Sequence, residues 1–122
     1  MSAHILTVDD SASVRMTTKI ALTNAGYQVT EAVDGLDGLN KAKSASFDLI
    51  VTDLNMPNMN GLEMIEALRQ SADHTGLPII FLTTESDGDM KARAKAAGAT
   101  GWMTKPFDPE QLVKIARKVL GR

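Results

Sequence analysis

Acidic residues follow two short apolar runs of the sequence, and their placement suggests a reactive site. Asp53 closes the run at residues 47–52 and precedes a turn-forming segment rich in Asn, Pro and Gly. Asp9 and Asp10 follow the run at residues 5–8 in the same way. If both runs are parallel strands of one sheet, their carboxylates meet at the edge where the strands end. Such a cluster favours a hard cation, and one further carboxylate could then act as a nucleophile.

Length and composition are those of a single globular domain. The chain has 122 residues, of which 43% are hydrophobic and 23% charged, enough for a continuous core. A net charge of −2 argues against nucleic-acid binding, and the absence of cysteine excludes thiol chemistry and disulfides. There is no signal-peptide pattern and no apolar run near the roughly 20 residues that span a bilayer. We therefore expect a cytoplasmic protein without a nucleic-acid or membrane partner.

Apolar runs rich in β-branched residues alternate with segments of helical period. Strands are predicted at residues 5–8, 28–32, 49–52, 79–82 and 100–104, with 28–32 at a sheet edge because its polarity alternates. Helices are predicted between them. Their expected N-terminal caps are Asp34, Asn60 with Glu63, Ser86 with Asp89, and Asp108 with Pro109 and Gln111. This pattern predicts an α/β fold of the (βα)5 type, a doubly wound parallel sheet with helices on both faces.

The ends of the later strands add further polar groups to the same edge. Thr83 and Thr84 end the fourth predicted strand, and Lys105 follows the fifth. Clustered carboxylates repel one another, so a divalent ion such as Mg²⁺ should bind there. Lys105 and the Thr83 hydroxyl could then stabilise a phosphoryl group on Asp53.

Each of these residues also has a purely structural explanation. Asp10 could cap the first helix, and Asp53 could merely begin a turn. Lys105 could be a solvated surface charge, and Thr83 an ordinary strand residue. It is their joint position at the ends of consecutive parallel strands that favours the chemical interpretation.

Four motifs resemble the receiver domain of two-component response regulators. They are Val8-Asp9-Asp10-Ser11, the segment DLNMPNMNG at residues 53–61, Thr83-Thr84-Glu85, and Lys105-Pro106-Phe107. The resemblance extends from about residue 4 to residue 120 and is strongest to stand-alone chemotaxis regulators of the CheY type. It implies a flavodoxin-like five-stranded sheet of order 2-1-3-4-5, with residues 1–122 forming one receiver domain without an output domain.

The resemblance also implies a role for each site residue. Asp53 would accept a phosphoryl group from a histidine kinase. Mg²⁺ or Mn²⁺ would be held by Asp9, Asp10, Asp53 and the backbone carbonyl of Asn55. Lys105 and Thr83 would contact the phosphoryl group, and the bond before Pro106 would be cis. Asn55, Thr84 and Glu85 would tune the phosphoryl lifetime.

A conformational switch is implied as well. Thr83 would move toward the phosphoryl group, and Trp102 would change rotamer and reshape the surface of the fourth helix, fifth strand and fifth helix. The family usually has Tyr or Phe where Trp102 stands, and Ala or Gly where Thr84 stands. Trp102 could alternatively be a fixed surface anchor.

We expect a monomeric signalling switch, not an enzyme, although it promotes its own phosphorylation and dephosphorylation. The expected partners are a chemotaxis-type histidine kinase, the flagellar motor switch protein or another output protein, and a phosphatase. The alternative is a phosphate sink or relay in another two-component pathway. An aspartyl-phosphate phosphohydrolase would need an acid where Asn55 stands, and a flavin phosphate would be repelled by Asp9 and Asp10.

Overall fold

The computed structural model describes residues 3–54, 56, 58–70, 76–83, 88–105 and 107–121. Strands and helices alternate along them as β1 His4–Val8, α1 Ala12–Asn24, β2 Gln28–Ala32, α2 Gly35–Ser44, β3 Leu49–Asp53, α3 Gly61–Arg69, β4 Ile79–Thr83, α4 Gly88–Ala96, β5 Gly101–Thr104 and α5 Pro109–Leu120. All four strand pairs are parallel, in the order β2-β1-β3-β4-β5. The predicted fold and strand order are therefore confirmed. Within these ranges, no helix is long and apolar enough to cross a bilayer.

The hydrophobic core has two layers, one on each face of the sheet. One layer includes Leu6, Ile50, Ile65, Leu68 and Phe81, and the other includes Ile5, Leu22, Val51, Leu82 and Leu112. Successive residues of a central strand enter opposite layers, which explains why the central strands are continuous apolar runs. Strand β2 is only partly buried and lies at an edge, as its alternating polarity predicted.

Most predicted caps form the expected contacts. Asn60 and Glu63 make a reciprocal capping box at the start of α3. Asp34 caps α2. The Asp108 carboxylate caps α5 but accepts from the backbone N–H of Glu110 rather than that of Gln111. The predicted cap Ser86 lies outside the described residues.

One buried hydroxyl in β1 has no hydrogen-bond partner in the described part of the chain. The Thr7 side chain is 2% exposed, and its Oγ1 is the atom concerned. Desolvating a hydroxyl without a compensating bond is unfavourable. We therefore expect Thr7→Val, which nearly preserves the side-chain shape, to raise the free energy of unfolding by about 1 kcal/mol in urea titration.

Thr52 provides the matched control. It is also fully buried, but its Oγ1 donates to the Asp53 backbone oxygen at 2.9 Å. Thr52→Val should therefore lower the free energy of unfolding by about 1 kcal/mol. Equal losses in the two variants would show that the Thr7 hydroxyl is satisfied.

Candidate functional site

Three carboxylates meet beyond the ends of β1 and β3. These strands are neighbours, with Val8 in register with Thr52. One oxygen from each of Asp9, Asp10 and Asp53 lies within 4.8 Å of the others. Asp9 and Asp53 are 4% and 8% exposed, whereas Asp10 is open to solvent. The structure thus brings together the acids that the sequence placed at one sheet edge.

Backbone and side-chain bonds fix the position of Asp9. Its backbone N–H donates to Ala32 O at 3.1 Å, and its Oδ1 accepts from the backbone N–H of Ser11 at 2.9 Å. Ser11 is also the N-cap of α1, where its Oγ accepts from Val14 N at 3.4 Å.

The N-cap of α1 is therefore Ser11 and not Asp10. The structural alternative, in which Asp10 caps this helix, is wrong.

Arg15 is a neighbour of the cluster that we did not predict. Its Nη1 donates to the Asp9 backbone oxygen at 2.6 Å, and its Nε lies 4.0 Å from the Glu31 carboxylate. A single arginine in a helical segment does not reveal its partner. The local signal was that Arg15 follows Ser11 by four residues, which places both residues on the same face of the helix.

Lys105 is the cation of the site. Its Nζ lies 2.8 Å from Asp9 Oδ2 and 3.3 Å from Asp53 Oδ2, and its side chain is 15% exposed. Burial alone would lower the pKa of Lys105, but the hydrogen bonds and charges of Asp9 and Asp53 outweigh it and raise the pKa. Lys105 therefore stays protonated at neutral pH. A solvated surface lysine, the structural alternative, does not describe it.

Asp53 is held in one orientation by its own backbone neighbour. The N–H of Leu54 donates to Asp53 Oδ1 at 2.8 Å. Burial raises the pKa of Asp53. The positive charge of Lys105 lowers this pKa, whereas the negative charge of Asp9 raises it. The net effect is a raised pKa. Without a bound cation, the Asp53 carboxylate is thus protonated more readily than a free aspartate.

The donor set suits a hard divalent cation. Three carboxylate oxygens converge here, while Lys105 supplies one positive charge against them. Mg²⁺ and Mn²⁺ prefer oxygen ligands of this kind. Asp9, Asp10 and Asp53 are therefore the described residues that would hold such an ion.

The raised pKa of Asp53 predicts a dependence of stability on pH. The folded state binds this proton more tightly than the unfolded chain, so the contribution of Asp53 is fully present below the ordinary carboxyl pKa. It is lost as the pH rises through the raised pKa. In metal-free buffer at neutral pH, we expect Asp53→Asn to unfold at a higher temperature than wild type. The difference should shrink near pH about 4, where a free aspartate is half protonated.

Thermal unfolding of both proteins with chelator, at neutral and at acid pH, measures this difference. Mg²⁺ at about a hundred times its dissociation constant should add about 2.7 kcal/mol to wild-type stability, and less to Asp53→Asn. Equal unfolding temperatures at neutral pH would contradict the proposed electrostatics.

The remaining predicted residues are divided between the described and undescribed parts of the chain. Thr83 ends β4 in register with Thr104. The Thr83 side chain and the predicted residues Asn55, Thr84, Glu85 and Pro106 lie outside the described part of the structure.

Trp102 lies in β5, in register with Phe81 of β4. The two ring centroids are 5.5 Å apart with planes tilted by 52°, and the Trp102 side chain is half-buried. Its ring also forms part of the wall of an open groove of about 420 Å³ between α4 and β5. The indole thus lies between the core and the surface that the switch hypothesis concerns.

Comparison with known proteins decides the family. Residues 5–117 match the response regulator receiver domain. The chain belongs to this family. Its receiver domain is 46% identical to chemotaxis protein CheY4 of Vibrio cholerae, whose structure it matches with a TM-score of 0.93 over 98% of this chain and 100% of that one.

Two further relatives show the range of this receiver domain's similarity. A response regulator of Burkholderia multivorans is 46% identical, with a TM-score of 0.81 over 98% of this chain and 95% of that one. Response regulator ArlR of Staphylococcus aureus is 39% identical over 119 residues, which cover 98% of this chain and 53% of ArlR. The chain thus spans about half the length of the curated relatives it matches. Family membership confirms the predicted receiver domain, while the role of each residue stays a prediction.

Proposed function

We propose that this receiver domain is a signalling switch activated by phosphorylation of Asp53. The observation that supports this most is Lys105, which contacts both Asp9 and Asp53 at the edge where three carboxylates converge. An oriented carboxylate beside a fixed ammonium group is arranged to receive an anionic group.

In the proposed reaction, an Asp53 carboxylate oxygen attacks the phosphorus of a phosphohistidine. The P–N bond breaks, its electron pair returns to the imidazole, and an acyl phosphate forms on Asp53. Bound Mg²⁺, held by Asp9, Asp10, Asp53 and the Asn55 carbonyl, would supply charge neutralisation between donor and acceptor. Lys105 and the Thr83 hydroxyl stabilise the phosphoryl oxygens.

Water later hydrolyses the acyl phosphate, and Asn55, Thr84 and Glu85 tune how long it lasts. The product is a modified protein and not a released metabolite, so this receiver domain acts as a switch and not as an enzyme. Asn55 stands where an aspartyl-phosphate phosphohydrolase has an acid, and an amide cannot serve as general acid or base. We expect no turnover of small phosphomonoesters.

Phosphorylation is read out at the surface of α4, β5 and α5. A phosphoryl group on Asp53 gives Lys105 a new partner, Thr83 moves toward it, and Trp102 shifts the wall of the groove beside α4. Similarity to the chemotaxis protein CheY4 supports the flagellar motor switch as target. A role as phosphate sink or relay in another two-component pathway is the alternative.

The test is phosphotransfer from a purified chemotaxis-type histidine kinase, with Mg²⁺ or with chelator, followed by peptide mass spectrometry. Label on the peptide containing Asp53, seen with Mg²⁺ alone, supports the proposal. Label from acetyl phosphate but not from that kinase would keep the chemistry and discard the donor. If neither donor labels the protein, the switch mechanism is wrong.

A further inference from the structure

The segment that follows Asp53 returns to the end of β3 before α3 begins. The N–H of Gly61 donates to Leu54 O at 2.8 Å. A Cβ atom at Gly61 would stand 2.2 Å from the backbone oxygen of Asp53, so only glycine allows this approach. Residues 58–60, which lead into Gly61 and are here called the acceptor loop, are therefore held close to the end of β3.

A second support for the acceptor loop comes from the turn between β2 and α2. Asn58 Nδ2 donates to Asp34 Oδ2 at 2.7 Å, and the N–H of Gly35 donates to Met59 O at 3.0 Å. A Cβ atom at Gly35 would stand 2.1 Å from Met59 O. Two adjacent loop residues are therefore bonded to two adjacent residues of the turn.

The Asp34 carboxylate serves both elements at once. Its Oδ1 accepts from the backbone N–H of Asp37 at 2.8 Å and caps α2, while its Oδ2 accepts from Asn58. Both bonds favour the charged carboxylate and lower the pKa of Asp34, the Asp37 bond contributing more. Asn58 has a φ of 67°, a left-handed conformation that asparagine tolerates better than most residues.

We infer that Asp34 and Asn58 are positioning residues for the Asp53 site, because they fix the acceptor loop where it meets the end of β3. This inference rests on the proposed function, in which Asp53 binds Mg²⁺ and accepts the phosphoryl group. Asn58 stands three residues before Gly61, whose N–H is bonded to Leu54 O and whose Cα lies too close to the Asp53 backbone oxygen to carry a Cβ atom. A displacement of Asn58 would therefore move Gly61 and, with it, the backbone that carries the Asp53 carboxylate.

Two variants remove the Asp34–Asn58 bond from opposite sides. Asn58→Gly keeps the positive φ but has no amide, and Asp34→Ser keeps an N-cap acceptor but has no second oxygen. We expect each to weaken Mg²⁺ binding by about tenfold, the lower end of the effect of losing a partner that orients a metal ligand. Because both remove the same bond, the double variant should resemble the singles. Titration calorimetry with Mg²⁺ alone measures this.

Asp37→Asn is the matched control for charge. Asp37 lies in the same turn of α2, and its carboxylate contacts Val33 N and Lys41 rather than the acceptor loop. Its Mg²⁺ affinity should match that of wild type. A comparable loss in this control would assign the effect to charge and would overturn the positioning role.

The unfolding temperature separates positioning from simple helix capping. Unchanged Mg²⁺ affinity in Asn58→Gly, with a lowered unfolding temperature, would reduce the bond to a structural contact and overturn the inference. If wild type binds Mg²⁺ and takes label while the variants bind equally well, the inference alone fails. If wild type neither binds Mg²⁺ nor takes label, the proposed function fails as well.

Discussion

Asp53→Asn should take almost no phosphoryl label, with an initial rate at least about 10³-fold below wild type. The amide oxygen lacks the charge and basicity that attack on phosphorus requires. The shape of the side chain is kept, its oxygen can still accept from Leu54 N, and Lys105 keeps its 2.8 Å contact with Asp9. The loss should therefore reflect chemistry and not unfolding. Labelling with acetyl phosphate and Mg²⁺, followed by intact-mass measurement, gives the rate.

Asp48→Asn is the control for this experiment. Asp48 precedes β3 at the opposite end of the strand, where its Oδ2 accepts from His4 N at 2.8 Å. Its labelling should equal that of wild type. Persistent label in Asp53→Asn, located on Asp9 or Asp10, would instead show that a neighbouring carboxylate within the 4.8 Å cluster can be the acceptor.

Gly61→Ala should lower the free energy of unfolding by about 3 kcal/mol. The new Cβ would stand 2.2 Å from the Asp53 backbone oxygen and 3.0 Å from the Phe81 ring. The first of these is backbone at the end of β3, so the clash cannot be relieved by rotating a flexible side chain. Relief must separate α3 from β3 and shift the acceptor, so we also expect slower phosphorylation. Urea titration and acetyl phosphate labelling measure the two effects.

Gly76→Ala provides the comparison. A Cβ atom at Gly76 would have no heavy atom within 4 Å, so it meets open space. Stability should be unchanged within about 0.5 kcal/mol, as for most surface substitutions. Similar losses at Gly61 and Gly76 would show that the contact with Asp53 does not explain the first result.

The sequence predicted the features that local signals encode. Apolar runs located the strands because the central strands are buried on both faces, and the Asn60 and Glu63 pair located the start of α3 because a capping box is short-range. The contact of Lys105 with the acids was also within reach, since parallel strands end at one edge.

Contacts set by tertiary packing could not be predicted. Asp34 and Asn58 are 24 residues apart, and neither residue type shows that a turn and a loop will meet. Arg15 was missed for the same reason. The Asp108 carboxylate accepts from the N–H of Glu110 and not from that of Gln111. This difference depends on local backbone angles, which a capping pattern in the sequence does not specify.

Lys105 and Asp9 stand 96 residues apart in the chain, and this separation has a consequence during synthesis. On the ribosome, Asp53 emerges well before β5, so a nascent chain carries the acceptor without its ammonium partner. Long-range pairing of this kind forms only after the intervening strands are in place. An unfinished copy therefore carries the carboxylates without the ammonium group that balances their charge. The cluster of Asp9, Asp53 and Lys105 is therefore completed only when β5 joins the sheet.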